Sequence, residues 1–278
     1  MIEDWFAGRR GRIRYRRWTP AGRPSAVVLL LHGLGEHSGQ YAPLGEAAAE
    51  AGIETWALDQ AGHGRSDGTR VLVERIDDLV ADAETLLGKA AAARPRVPIV
   101  VAGHSLGATV AALLVGEIRV ANGADPAADV AGLVLSGSSL LSTGEGLKAL
   151  VASGFDPMDL RKDPGELVRD PEQAQRVRED PLVWDGGLRP QTLAALTAAG
   201  ARTRMLVLEG ALDHLPVLLL HGEDDDIAPV AGACEVAERL PRARIVVFPQ
   251  DRHNVLQELD RKEVHAELLR FVAQIAGA

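Results

Sequence analysis

Cysteine is almost missing from this 278-residue chain. Cys234 stands alone, so no disulfide can form within it, and that usage fits a reducing compartment. Long apolar runs are missing as well. The longest, such as Ala26 to Leu31, are strand-sized, far short of the ~20 residues needed to cross a bilayer. No basic flank leads into an apolar stretch at Met1-Ile2-Glu3-Asp4-Trp5, so the sequence predicts no secretory leader and a cytoplasmic protein, at most peripheral to a membrane. Excess positive charge is lacking too. The formal net charge is -9. Residues 1–17 carry six Arg against Glu3 and Asp4, which leaves -13 on the rest. An acidic body excludes nucleic acid as the main partner, because phosphate binding needs a basic surface.

What is present is ordinary globular material, 46% hydrophobic and 25% charged. The length suits one large domain, or one domain with a sizeable insertion. The basic stretch Arg12-Ile13-Arg14-Tyr15-Arg16 alternates polar with apolar, which reads as a half-exposed edge strand rather than a membrane-binding patch. Further on, short runs rich in Val, Leu and Ile recur at Ala26–Leu31, Ile53–Leu58, Ile99–Ala102, Gly132–Leu135, Val217–Leu220 and Arg244–Phe248. Such unbroken runs predict strands buried on both faces, as in a parallel sheet covered by helices. Helical periodicity separates them at Pro43–Ala51, Ile76–Ala93, Gly107–Val120, Val230–Leu240 and Arg261–Ile275. The alternation predicts an α/β fold with a mostly parallel central sheet. One segment breaks the rhythm. Residues 140–205 show no strand pattern and are cut by Pro157, Pro164, Pro171, Pro181 and Pro190, which predicts a helical insertion into a core of residues 1–139 and 206–278.

The strongest local signal is Gly103-His104-Ser105-Leu106-Gly107, set between a strand and a helix. A serine in that context sits on a sharp turn at the end of a sheet, with helix N–H groups behind it to receive an oxyanion. Its hydroxyl needs a base, and the base needs an acid to orient it. Sheet-based serine hydrolases supply them in the order Ser, acid, His. The run Glu223-Asp224-Asp225-Asp226 follows one late strand, and Asp251-Arg252-His253 follows the next. His253 is therefore the expected base, with three aspartates as candidate acids. His265, on the last helix, reads as solvated, and His214 and His221 read as packing or capping groups. Strand Ala26–Leu31 runs into His32-Gly33-Leu34-Gly35-Glu36-His37, a loop placed to give the second oxyanion donor. The backbone N–H groups of Leu34 and Leu106 are assigned to that hole, with His32 and His37 shaping the loop. The same loop misses zinc-ligand spacing by one residue, and Gly62-His63-Gly64 with Gly68 misses dinucleotide-loop spacing by one.

Together these residues resemble the α/β-hydrolase superfamily, and more narrowly its monoacylglycerol lipase and lysophospholipase-like branch. The likeness covers residues 10–275 and is carried by Leu31 to Tyr41, by Asp59-Gln60-Ala61-Gly62-His63-Gly64-Arg65-Ser66, by the Ser105 turn, and by Asp180-Pro181-Leu182-Val183-Trp184-Asp185-Gly186-Gly187 within the insertion. Asp59-Gln60-Ala61 departs from the family, which often has Arg or His at the third place. The resemblance selects Asp225 as the acid, counted from His221-Gly222. It implies a serine esterase that needs no metal or cofactor and cleaves the ester of a single-chain acylglycerol through an acyl-enzyme. It also implies that residues 140–205 form a cap meeting lipid membranes or micelles. Leu140, Leu141, Leu147, Leu150, Val151, Phe155 and Met158 would serve either as an acyl tunnel or as core packing. Lysophospholipase, general carboxylesterase, proline-iminopeptidase and acyltransferase activity remain open alternatives, as does a catalytically inactive binding protein.

Overall fold

The computed structural model describes residues 1–122, 130–141, 149 and 152–277. Strand β3 (Ala26–Leu31) shows how the sheet is covered. All six of its residues are buried. A strand sends alternate side chains to opposite faces, so an unbroken apolar run demands cover on both. Val27, Leu29 and Leu31 enter one core, while Ala26, Val28 and Leu30 enter the other. Strands β5 (Ile99–His104) and β7 (Val217–Gly222) divide in the same way, as Leu219 against Leu218 and Leu220 illustrates. The first face is covered by α2 (Ile76–Ala93), α3 (Leu106–Asn122) and α7 (Val230–Arg239). The second is covered by α1 (Ala42–Glu50) and α8 (Arg261–Ala276), the latter through the stripe Val264, Leu268, Phe271 and Val272.

With β1 (Ile2–Gly8), β2 (Gly11–Trp18), β4 (Ile53–Leu58), β6 (Val130–Ser136) and β8 (Ala243–Phe248), the sheet has the order β1-β2-β4-β3-β5-β6-β7-β8. From β4 to β8 every pairing is parallel; β1 and β2 add on antiparallel. The six strands expected from apolar runs all form, and the α/β-hydrolase architecture stands.

The basic segment departs from expectation. It is a strand, but not an edge strand: β1 pairs with its outer side, and Arg14 and Arg16 are buried. Partners supplied by the fold make that burial tolerable. Glu3 on β1 meets both guanidinium groups, and Asp59 lies 2.9 Å from Arg16 Nη1. Arg17 is 4.9 Å from the centre of the Trp56 ring and pairs with the buried Glu54. A buried charge is retained only when paired in this way.

Between β6 and β7 the described residues hold α4 (Pro164–Leu167), α5 (Pro171–Glu179) and α6 (Pro190–Leu208), and no strand. Four of the five prolines that cut the sequence, Pro157, Pro164, Pro171 and Pro190, are helix starts at the first helical position, where a missing N–H costs nothing, Pro157 opening a single 3-10 turn; Pro181 lies in a turn instead. Asp163 and Asp170 cap α4 and α5 by accepting backbone N–H bonds. Helix α6 runs past residue 205 to Leu208. Ala195, Ala199, Leu206 and Val207 join the first core, so its C-terminal half packs as part of the main body. Among the described residues no helix is long and apolar enough to cross a membrane.

Asp82 on α2 is buried under the β1–β2 hairpin, where its Oδ1 accepts the Arg9 N–H at 2.8 Å. Burial pushes its carboxyl up to about 6, against that hydrogen bond. A raised carboxyl holds its proton more tightly in the fold, so the stability it contributes is full below about pH 4 and lost as pH rises through about 6. Asp82→Asn removes the titration. Its melting temperature relative to wild type should therefore rise by a few degrees between pH 4 and pH 8, measured by calorimetry. A difference that does not change with pH would refute the assignment.

Candidate active site

Strands β3 and β5 lie side by side, with Leu31 paired to Gly103. The chain leaves β3 for β4 on one side and returns to β5 on the other, so the loops beyond their carboxyl ends diverge and leave a crevice. Ser105 stands at this crevice with φ of 52°, a left-handed conformation unusual for a residue bearing a Cβ. Its neighbours explain how the turn closes. A Cβ on Gly103 would lie 2.2 Å from the Gly107 carbonyl oxygen, and one on Gly107 would lie 2.1 Å from that of Leu31. Only glycine fits at both. The Ser105 N–H donates to the Ser136 carbonyl at 2.9 Å, which ties the turn to β6.

The predicted residues meet here. His253 Nε2 is 2.9 Å from Ser105 Oγ, and His253 Nδ1 is 2.9 Å from Asp225 Oδ2. With Nδ1–H donating to the carboxylate, Nε2 is free to accept the serine proton. Of the three aspartates only Asp225 is buried. Asp224 and Asp226 are exposed, Asp226 pairing with Lys162 at 2.8 Å. Asp225 is held from both ends. Its Oδ1 accepts the N–H groups of Ile227 and Ala228, each at 2.9 Å, and its Oδ2 also lies 3.2 Å from His221 Nε2. Burial opposes its ionisation, yet the hydrogen bonds from His221, His253 and the Ala228 N–H outweigh it and hold the carboxyl well below the usual range.

Other residues of the sequence motifs brace this arrangement. Glu36 accepts from the Gly33 N–H at 2.8 Å, Tyr41 Oη at 2.6 Å and Asn254 Nδ2 at 2.7 Å, which links the loop after β3 to the residue beside His253. His32 Nδ1 donates to the Gly33 carbonyl, and its Nε2 accepts the Gln60 N–H at 3.0 Å. Gln60, in the stretch that departs from the family, also donates its side-chain amide to the His32 carbonyl at 2.7 Å, so it buttresses the same loop. Burial lowers His32 and His63 to about 4 and His104 well below its ordinary value, so all three are neutral at neutral pH. His265 departs from expectation: it is buried, not solvated, because its Nε2 donates to the Leu256 carbonyl at 2.9 Å. The link from His221 to Asp225 has no signature in the sequence, because it closes the turn after β7 rather than one face of a helix.

Leu34, Leu106, Ser105 and His253 line a cavity of about 780 Å³. Leu106 opens α3, so its N–H is one of those a helix leaves without an internal partner. The insertion roofs the cavity. His37 Nε2 donates to Asp180 at 2.8 Å, and the Trp184 N–H donates to the Gly35 carbonyl at 2.9 Å, which fastens the Asp180–Gly187 segment over the loop after β3. The walls include Val183 of the Asp180–Gly187 stretch, together with Leu160, Leu167, Val177 and Leu193, apolar residues that no sequence motif marks. Of the apolar residues expected to line a tunnel, Leu140 is packed into the main core, Leu141 belongs to both core and cavity wall, and Phe155 and Met158 are half-buried. Leu147, Leu150 and Val151 lie outside the described residues.

Comparison with known proteins agrees with this fold. A monoacylglycerol lipase of Mycolicibacterium smegmatis is 34% identical over 282 residues, covering 97% of this chain and 96% of the relative. The human monoglyceride lipase is 31% identical over 232 residues, covering 78% and 71%. Among solved structures, a soluble variant of the Saccharomyces cerevisiae monoglyceride lipase superposes with a TM-score of 0.80 over 98% of this chain and 94% of that one, at 19% identity, a likeness of fold. The family described as Hydrolase_4, serine aminopeptidase S33, matches residues 22–260, a stretch that contains the serine turn, all three aspartates and His253. This chain is a member of that family of α/β-hydrolases.

Proposed function

We propose that this protein is a serine hydrolase that cleaves the carboxylic ester of monoacylglycerols, with Ser105, His253 and Asp225 as its triad. The continuous relay of hydrogen bonds from Asp225 to Ser105, opening into an apolar cavity, carries this reading. Ser105 Oγ attacks the ester carbonyl as His253 Nε2 takes its proton. Asp225 keeps the imidazole in the tautomer that can accept it and stabilises the imidazolium that results. The N–H groups of Leu34 and Leu106 receive the oxyanion. His253 then returns the proton to the departing glycerol oxygen, and takes one from the water that releases the fatty acid. The insertion, as far as the first half of α6, acts as a cap whose apolar inner wall holds the acyl chain and whose rim makes transient contact with micelle or membrane.

The cavity favours a neutral alcohol as leaving group. Lys162 is the one Lys or Arg among its described lining residues, and it is already engaged by Asp226 and Glu166, which leaves little to attract a lysophospholipid phosphate. An aminopeptidase needs a carboxylate to hold the free amine of its substrate. Glu36 is committed to three other donors, while Asp185 and Glu235 are exposed, where a charge pair is weak. The relatives named as monoacylglycerol and monoglyceride lipases support the ester reading.

Ser105→Ala should abolish labelling by a fluorophosphonate probe with the fold intact. The wild type should hydrolyse medium-chain and long-chain monoacylglycerols faster than lysophospholipids or aminoacyl amides. A preference for the amides would sink the substrate assignment while leaving the nucleophile standing. The acid is tested by three single substitutions. Asp225→Asn should lose at least ~100-fold in kcat, while Asp224→Asn and Asp226→Asn stay within about fivefold of wild type. If a neighbour is the crippling substitution instead, Asp225 is not the acid.

A further inference from the structure

The loop that carries His253 is gripped by a cation from the cap, through a charge cluster with two buried carboxylates that the reaction scheme does not use. Arg169, between α4 and α5, bonds Asp251 through Nη2, which also lies 2.7 Å from Asp260 Oδ1; its Nε is 3.5 Å from Glu258 Oε2. The side chains of Asp251 and Glu258 are fully shielded from solvent. One cation thus faces three carboxylates. Glu258 is well satisfied: Oε1 accepts the N–H groups of Arg169 at 2.8 Å and Arg252 at 3.0 Å, and Oε2 that of Leu259 at 3.0 Å. Asp251 is not. Its Oδ2 has no hydrogen-bond partner among the described residues, so Arg169 is the one side chain found holding it.

The position of Asp251 makes this consequential. Its carbonyl accepts the Asp224 N–H at 2.9 Å, one residue before the triad acid, and His253 follows two residues later. Gly222 packs so closely there that a Cβ would lie 2.3 Å from the carbonyl oxygens of Asp251 and Arg252. Any shift of Asp251 therefore moves the acid loop and the histidine loop together. The same cap segment grips this loop through the backbone as well, since the Asn254 N–H donates to the Leu167 carbonyl at 3.0 Å and Arg252 bonds the Gly165 carbonyl.

We propose that Asp251, held by Arg169 from the cap, is a positioning residue for His253 and Asp225, and that its ionisation governs how firmly the cap grips the two triad loops. The surrounding charges fix the direction. Asp251 is faced by Arg169 from the cap and by Glu258 and Asp260 from the turn beyond His253. Arg252 is its chain neighbour, Arg261 is occupied by Asp170 at 2.8 Å, and Glu223 touches the adjoining Gln250 N–H at 3.4 Å. Burial, then Glu258 and Asp260, push Asp251 up to about 7, against the pull of Arg169. A raised carboxyl is tolerated with its proton on, so the grip is firm below that value and loosens by repulsion as pH rises through it.

This role presupposes the triad, which probe labelling of Ser105→Ala decides independently. The experiment measures kcat and KM on a soluble butyrate ester from pH 5.5 to 9 for wild type, Asp251→Asn, Arg169→Met and the double variant. Arg169→Met removes the pull that keeps Asp251 down, so its proton stays on to higher pH; kcat should fall about tenfold at pH 9 with KM within about twofold, and be mostly regained at pH 6, where a proton takes over the neutralising role of the guanidinium. Adding Asp251→Asn should restore kcat at pH 9 to within about threefold of wild type. Equal losses at both pH values, no rescue in the double variant, or a loss confined to KM would each overturn the proposal. Should Arg169→Met fail to fold, Asp251→Asn alone decides: the wild-type kcat should fall at least about threefold between pH 7 and pH 9 while the variant's does not, and parallel profiles would end the idea.

Discussion

Everything at the site depends on how closely the serine turn approaches β3. Gly107 packs against the Leu31 carbonyl at a distance no Cβ could share, and that contact brings the start of α3 beside the loop carrying Leu34. The left-handed backbone of Ser105 follows from the same closeness, because the turn must reverse within a few residues to seat the helix over the sheet. The cost of that conformation is held by β6, which fixes the Ser105 N–H, and by two cores that leave β5 no freedom to shift. Preorganisation is thus a property of strand packing, and the chemical groups are attached to it afterwards.

The second half of the site adds charge to close packing. Asp225 and His253 sit beyond β7 and β8, in loops that would be soft if left alone. Two backbone N–H groups and two imidazoles hold the carboxylate, Glu36 reaches Asn254 from across the crevice, and Arg169 grips the loop from between α4 and α5. The serine side is therefore rigid through sterics, while the histidine side relies on electrostatics in addition, so the two halves respond differently to pH and salt.

Local spacing made much of this legible. The serine turn, the aspartate and histidine runs that follow β7 and β8, and the six apolar strands are each written in contiguous residues, so elementary patterns recover them. The β1 strand was not recoverable, because Ile2-Glu3-Asp4-Trp5-Phe6 has no clean alternation and becomes a strand by pairing with β2. That omission made Arg14 and Arg16 look like edge residues; their counter-charges Glu3 and Asp59 are assembled only in the fold. His265 misled for a similar reason, since the Leu256 carbonyl that buries it belongs to a loop. Arg169 and Asp251, 82 residues apart, share no pattern that a reading along the chain could join.

The neutral buried histidines have a consequence beyond bracing loops. His32, His63, His104 and His265 all take up protons less readily in the fold than in the open chain. Acidification therefore favours the unfolded state at four places at once. By about pH 4, His32 and His63 alone forfeit about 3 kcal/mol each, together comparable to the whole stability of a typical domain. The same histidines that hold the loops in register thus set an acid floor for the molecule, and unfolding below it takes up several protons together, as a steep collapse over a narrow span of pH.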